Sequence, residues 1–254
     1  MIIVCLDPGH VTGFNRGAYN KYYEGTKVFI LAQMLKSELE EKYEGFKVYL
    51  TREANQNPSL YDRGTFAKSV NAKCFISLHS NACGTESVNS VVVYRSIATP
   101  NAQVLGDRLM NAVVDTMNKD VPTIRWHAGV LTYLLNNGQD YYGVLRNSAG
   151  GNITESLIIE HGFHTNYNQS KWLYEDSNLK KLAEAEAKVL AEYYGCPAKK
   201  TSTTKTYTVK KGDSWWGIAN REMGSWRKMP ELLKANNATV LTVIHPGDVL
   251  IIPV

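Results

Sequence analysis

Five short apolar runs punctuate the first 160 residues: MIIVCL at 1–6, FKVYL at 46–50, CFISLH at 74–79, VVVY at 91–94 and SLIIE at 156–160. They are rich in β-branched residues and mostly do not alternate with polar ones, which is the pattern of strands covered on both faces. Between them the period changes to that of helices. In 24–43, Val28, Leu31, Leu35 and Leu39 fall on one stripe. The segment 58–72 follows Asn57 and Pro58, a cap and a first-turn proline. In 101–118, Val104, Leu105, Leu109, Val113 and Met117 recur at helical spacing, and a last helix over 178–194 stops at Gly195 and Pro197. Strands alternating with helices predict an α/β fold, a largely parallel twisted sheet flanked by helices.

The pattern breaks at residue 197. PAKKTSTTK, 197–205, has no apolar side chain larger than alanine or proline and reads as a linker between a first domain, 1–196, and a second, 206–254. The second has its own plan: a strand at 207–210, a helix begun at Asp213 or Ser214, a second helix at 229–235 and a closing strand at 249–252. That is a small α+β unit of βααβ order.

Charge separates the two parts. The formal net charge of +4 divides into 19 Lys+Arg against 20 Asp+Glu over 1–196 and 9 against 4 over 197–254. The basic tail has no dense Lys/Arg cluster and no interleaved aromatics, so nucleic acid is not the expected partner. Cys5 and Cys74 lie inside apolar runs, Cys83 and Cys196 stand alone, and no C-x-x-C occurs, so free thiols are expected rather than a disulfide framework or a thiolate zinc site. No apolar run approaches the roughly 20 residues that span a bilayer. The N-terminus lacks the basic and apolar regions of a secretory signal, so synthesis in the cytosol is expected.

Chemistry gathers at strand ends. His10 follows the first strand, His79 ends the third and Glu160 ends the last. In a parallel sheet all three meet at the carboxyl edge, where open α/β sheets place their ligands. Glu24, at the start of the first helix, joins them if the loop 11–23 folds across that edge. Two imidazoles and a carboxylate form a catalytic zinc set that leaves one position open, and a second carboxylate supplies proton transfer. The residues alone leave competitors. His161 or His164 stands close enough in sequence to be a ligand instead, Glu24 suits the positive end of any helix, and Glu24 with Glu160 would also make a glycosidase pair.

The order of motifs narrows this. LDPGH at 6–10 with a glutamate fourteen residues beyond the histidine, LYDRGTFAK at 60–68, SLHSNA at 77–82, and YYGVLRNS followed by SLIIEHGFHTN resemble, in sequence order, the zinc N-acetylmuramoyl-L-alanine amidases that cut peptidoglycan. The likeness runs from residue 6 to about 170. It implies His10, Glu24 and His79 as zinc ligands and Glu160 as the catalytic acid/base. It also implies cleavage of the amide between N-acetylmuramic acid and the L-alanine of the stem peptide. One departure is AGGNITESLIIE at 149–160, which lacks a proline shortly before the strand. The tail resembles a LysM module, a binder of N-acetylglucosamine-containing glycans, through YTVKKGDSWWGIA at 207–219, ELLKANN, and IHPGDVLIIP at 244–253. That likeness points to Gly212, Asp213, Ser214, Trp215 and Ile244 as sugar contacts, with Trp216 in the core and His245 an exposed loop residue. A wall-degrading enzyme of this kind is expected to be an endolysin released during lysis, with an autolysin as the alternative.

Overall fold

The computed structural model describes residues 1–199 and 205–253, and the chain forms two compact units that divide after Lys199. In the first unit the strands are β1 (Ile2–Pro8), β2 (Phe46–Leu50), β3 (Cys74–Asn81), β4 (Ser90–Arg95), β5 (Ile124–Arg125) and β6 (Glu155–Phe163). The helices are α1 (Glu24–Lys42), α2 (Leu60–Ser69), α3 (Ala102–Met117), α4 (Gly143–Ser148), α5 (Tyr167–Tyr174) and α6 (Asp176–Tyr194). The sheet order is β2-β1-β3-β6-β4-β5. β2, β1, β3 and β6 are mutually parallel, while β4 runs antiparallel to β6.

The two faces of the sheet are unequal. Val4 and Leu6, Ile76 and Leu78, Val91 and Val93, and Leu157 and Ile159 alternate onto one face, where α1, α3 and α6 bury them in the main core. Cys5, Phe75 and Ile158 point the other way into a smaller cluster with Ala67 from α2, Val144 and Leu145 from α4, and Ala72 and Ile153 from the connecting segments. The period of two continues past this smaller core. Asp7, Ser77, His79 and Glu160 fall on the same thinly covered face, and the site opens there beside Leu60 and Arg63 of α2 and Val144 of α4.

Several expected boundaries move. The helix predicted over 58–72 is shorter, because Ser59 caps it: its side chain accepts from the Asp62 amide while Asp62 reaches back to the Ser59 amide. α4 and α5 were not predicted; at six and eight residues they are too short to show a period. The turn at Gly150 and Gly151, inside the segment without the expected proline, lies at the amino end of β6 beside Lys73, away from the carboxyl edge. The predicted linker is corrected at its start. The Glu44 amide donates to the Pro197 carbonyl (2.9 Å) and the Lys199 amide to the Lys42 carbonyl (2.8 Å), so 197–199 belong to the first unit. Residues 200–204 lie outside the described residues.

The second unit pairs β7 (Lys205–Thr208) antiparallel with β8 (Val249–Ile252) and packs α7 (Trp215–Met223) and α8 (Met229–Ala235) between them in sequence. Val209, Ile218, Ala219, Leu232, Leu233, Leu250 and Ile252 form its core, and Trp215 joins them. All four cysteines are free. Among the described residues no helix is long and apolar enough to cross a membrane.

Candidate metal centre

β1 delivers the first histidine under constraint. The Gly9 amide still donates to the Leu78 carbonyl, and the chain then turns so sharply that His10 takes φ 55°, a left-handed conformation uncommon outside glycine. Two buried arginines hold that turn. Arg52 donates to the carbonyls of Pro8 (2.8 Å), Gly9 (3.1 Å) and Gly25 (2.8 Å). Arg63 donates to Asp7 Oδ1 (2.8 Å) and to the carbonyls of Pro8 (2.9 Å) and His10 (3.1 Å). Gly9 is required for a steric reason, since a Cβ there would occupy the space of the His79 imidazole.

The loop 11–23 does fold across the edge. The Glu24 amide donates to the Asn15 carbonyl (2.9 Å), the Gly25 amide to the Phe14 carbonyl (3.2 Å) and the Ala18 amide to the His164 carbonyl (2.8 Å). α1 therefore starts at the strand ends, and Glu24 is 1 % exposed. His10, Glu24 and His79 each offer a ligand atom within 4.8 Å of the other two. His10 Nε2 is 3.4 Å from Glu24 Oε2, and His79 Nδ1 is 3.0 Å from Glu24 Oε1. The Ser80 amide (3.0 Å) and Asn15 Nδ2 (2.8 Å) donate to the same carboxylate, and Asn15 Nδ2 also lies 3.1 Å from His10 Nε2.

The electrostatics favour a cation. Burial opposes the Glu24 carboxylate, yet hydrogen bonds and charge from His10 and His79 outweigh it and hold the acid well below the usual range. Burial likewise opposes a charged His79, but the Glu24 hydrogen bond and the Glu160 charge lift its pKa to about 9. Two carboxylates beside the His79 imidazole make the cluster a place that favours positive charge. Two imidazole nitrogens with one carboxylate are the donors a borderline divalent metal such as zinc takes, so the residues present fit the expected ion.

Glu160 stands opposite His79 in the β3–β6 register and is not among these three. Its Oε2 is buried with no hydrogen-bond partner, an arrangement that costs stability unless a ligand or reacting group uses the oxygen. Burial pushes its carboxyl up to about 7; the positive His79 opposes that rise and the Glu24 charge adds to it.

The competing histidines are engaged by other partners. His161 faces the main core, where Nε2 donates to Glu186 Oε1 on α6 (2.7 Å) and Nδ1 to the His79 carbonyl (3.0 Å). His164 is buried against Ser80 (Nδ1 to Oγ, 3.0 Å) and stays 3.8 Å from Glu24. Glu155, five residues before Glu160, serves the hydroxyls of Tyr193 and Tyr194 at the far end of β6. With four neighbours on its two oxygens, Glu24 is also no free half of a glycosidase pair. Sequence reading missed Asn15, Arg52 and, as an anchor of the His10 turn, Arg63; the arginines act across long sequence separations that no local pattern marks, and Asn15 reaches His10 and Glu24 through the folding of its own loop.

Residues 4–192 match the profile of N-acetylmuramoyl-L-alanine amidases. The chain belongs to that family. Residues 207–253 match the LysM domain. The sporulation-specific N-acetylmuramoyl-L-alanine amidase of Bacillus subtilis (strain 168) is 28% identical over 216 residues, covering 84% of this chain and 75% of that relative. An endolysin of Bacillus phage SPP1 is 28% identical over 193 residues, covering 75% of this chain and 65% of its own length. The catalytic domain of the amidase CwlV from Bacillus (Paenibacillus) polymyxa var. colistinus superposes with a TM-score of 0.61 at 21% identity, over 77% of this chain and 99% of that one, and shares the fold. The amidase reaction is hydrolysis of the bond between N-acetylmuramic acid and L-alanine, and peptidoglycan is both its substrate and, through the glycan, the ligand of the LysM unit.

In that unit the expected sugar contacts divide. Gly212 sits exposed at φ 88° and Ser214 caps α7 by accepting from the Gly217 amide (3.2 Å). Asp213 is engaged within its turn: it accepts from the Lys210 amide and the Tyr207 hydroxyl (both 2.8 Å) and from Arg221 (3.0 Å). Ile244 is partly buried against the core. The two tryptophans exchange their expected places. Trp215 is buried and donates from Nε1 to the Thr242 carbonyl (2.7 Å), whereas Trp216 is 54% exposed. Trp215, Ile218 and Ala219 share the core-facing stripe of α7, and one residue on along a helix turns about 100° away from it.

Proposed function

We propose that His10, Glu24 and His79 hold a zinc ion and that Glu160 is the general base and acid of amide hydrolysis. The observation that carries this is the convergence of three ligand atoms within 4.8 Å beside a carboxylate oxygen that is buried and unpartnered. When bound, zinc supplies Lewis-acid polarisation of the scissile carbonyl and acidifies water. The remaining work falls to the chain. Glu160 Oε2 removes a proton from the attacking water and returns it to the departing L-alanine nitrogen. A carboxyl poised near neutrality serves both directions. Ser80 and Asn15 fix the orientation of Glu24, as outer-shell partners do for ligating carboxylates.

The test is metal analysis of the purified protein with identification of the groups newly exposed on digested wall. One zinc per chain and new L-alanine amino groups without new reducing sugar ends are expected. Full zinc occupancy in a His79→Ala protein, or lysis that persists in a chelator, would overturn the assignment. The SPP1 relative supports an endolysin-like role at the wall during lysis. Expressed inside a host cell, the protein should then lyse it only after the membrane is permeabilised.

A further inference from the structure

Four tyrosines run from the neighbourhood of Glu160 out to the surface. Tyr94 lies on β4, two residues from Val92, which pairs directly with Glu160. Its ring meets Tyr142 with centroids 4.8 Å apart. Tyr142 meets Tyr141 edge-on at 5.3 Å, and Tyr141 stacks on Tyr133 at 4.4 Å with 30° between planes. Burial raises the Tyr94 and Tyr142 hydroxyls and the Glu160 charge adds to it in both, as the placement requires. At the outer end Tyr133 and Tyr141 are 52% and 48% exposed.

This outer pair is built to stay in place. The Tyr141 amide donates to the Tyr133 carbonyl (2.7 Å) and the Leu135 amide to the Gln139 carbonyl (2.8 Å), which closes a hairpin turned at Gly138. Asp140 is buried at its base, accepting from Ser96 Oγ (2.6 Å) and the Ile97 amide (2.8 Å), and Arg146 holds the Asp140 and Tyr141 carbonyls (2.6 and 2.7 Å). A cavity of about 450 Å³ lies against the hairpin, lined by both rings, Leu134, Leu135, Asn136 and Asn137.

We propose that this tyrosine hairpin binds the glycan strand of the substrate, one or more sugar residues beyond the N-acetylmuramic acid whose amide is cut. The inference rests on the reading of Glu160 and the three-residue cluster as the reacting centre. The ladder is continuous with that centre, so its occupant is a continuation of the molecule held there. That molecule continues two ways, as neutral pyranose rings or as a stem peptide bearing free carboxylates. The lining decides between them. None of the residues lining the cavity is a lysine, arginine or histidine that would receive a carboxylate, and the neighbouring Arg146 turns its Nη1 to the Asp140 and Tyr141 carbonyls. The lining offers instead flat rings for the C–H face of a sugar and carboxamides for its hydroxyl and acetamido groups, the mixture of apolar surface and a few polar groups that defines a small-molecule site.

The experiment compares two soluble substrates carrying the same stem peptide, one on a single N-acetylmuramic acid and one on a tetrasaccharide. The full chain and its Tyr133→Ala, Tyr141→Ala and Tyr141→Phe forms are assayed on both. Wild type is expected to show a lower KM for the tetrasaccharide. Each alanine variant should reduce that preference about tenfold through KM rather than kcat, the scale of one lost aromatic contact. The phenylalanine variant should keep most of it. Circular dichroism and metal content serve as the folding control, and the LysM unit is constant throughout. No glycan-length preference in wild type, or an unaltered preference in the alanine variants, would each overturn the proposal. Failure of the underlying reading looks different, because Glu160→Gln would then keep its turnover on both substrates whatever the tyrosines do.

Discussion

At Gly9 and Glu160 single atoms decide the chemistry. A Cβ at Gly9 would enter the His79 ring, so Gly9→Ala must displace the proposed ligand without altering its chemistry. Metal affinity should fall by roughly 10–100-fold, the cost of disturbing the surroundings of a ligand, and a metal-competition titration measures it. Glu160→Gln keeps the size of the side chain but cannot take a proton. It should retain zinc and fold while turnover on purified walls drops by roughly 10²–10⁴-fold. Loss of zinc in that variant would make Glu160 a ligand, and near-normal turnover would move the base elsewhere. Both positions differ in how legible they were. Glu160 stands out in the sequence because it closes an apolar run, as His79 does, although both strands continue past them to Phe163 and Asn81. Gly9 and the arginine clamp of Arg52 and Arg63 gave no such sign, since the arginines' partners lie up to 56 residues away and, apart from the Asp7 and Asn57 side chains, are main-chain carbonyls. The LysM tryptophans were misread because adjacency in sequence says nothing about helix phase until the first residue of α7 is known.

Strand β6 and helix α6 meet through a pair that no periodicity predicts. Both nitrogens of His161 face acceptors, the His79 carbonyl and the Glu186 carboxylate, so the doubly protonated ring satisfies the geometry. Burial lowers the His161 pKa, but the Glu186 charge and hydrogen bond outweigh it and the net shift is upward. A histidine whose folded pKa is raised contributes stability that is complete below its unfolded value near 6.5 and is lost as pH rises through the folded value. Glu186→Gln should therefore destabilise the first unit by roughly 3 kcal/mol at pH 6, as breaking a buried pair does. The gap between variant and wild type should narrow steadily above pH 7, read by urea unfolding at a series of pH values. A gap that fails to narrow with pH would show that the pair's stabilisation does not depend on a proton held at His161. The strands themselves were legible because burial on both faces leaves unbroken apolar runs. The reversed direction of β4 was not, since an apolar run reads the same in either direction and only its connections set the sense.

At the scale of the whole chain, composition located the division between the units but placed it three residues early. Pro197 and Lys199 pair with Glu44 and Lys42, so the first unit closes on its own C-terminal segment, and the contacts divide after Lys199. Two truncations separate these readings. A fragment of residues 1–199 keeps every backbone bond of the first unit and should turn over soluble muropeptides as the full chain does. A fragment of residues 1–196 loses the two hydrogen bonds to 42–44, about 1–2 kcal/mol at an exposed edge. It should melt roughly 2–8 °C lower while remaining active, because the bonds lie far from the carboxyl edge where His10, Glu24 and His79 meet. Both fragments should lose apparent affinity for intact walls by roughly 10²-fold, since binding through the LysM unit raises the effective concentration of the amidase at the polymer. Wall pelleting, thermal unfolding and muropeptide turnover measured on the same three proteins make the test complete. Wall affinity unchanged in the 1–199 fragment would place the retention in the amidase unit itself, and equal melting temperatures for the two fragments would make 197–199 a passive tether after all.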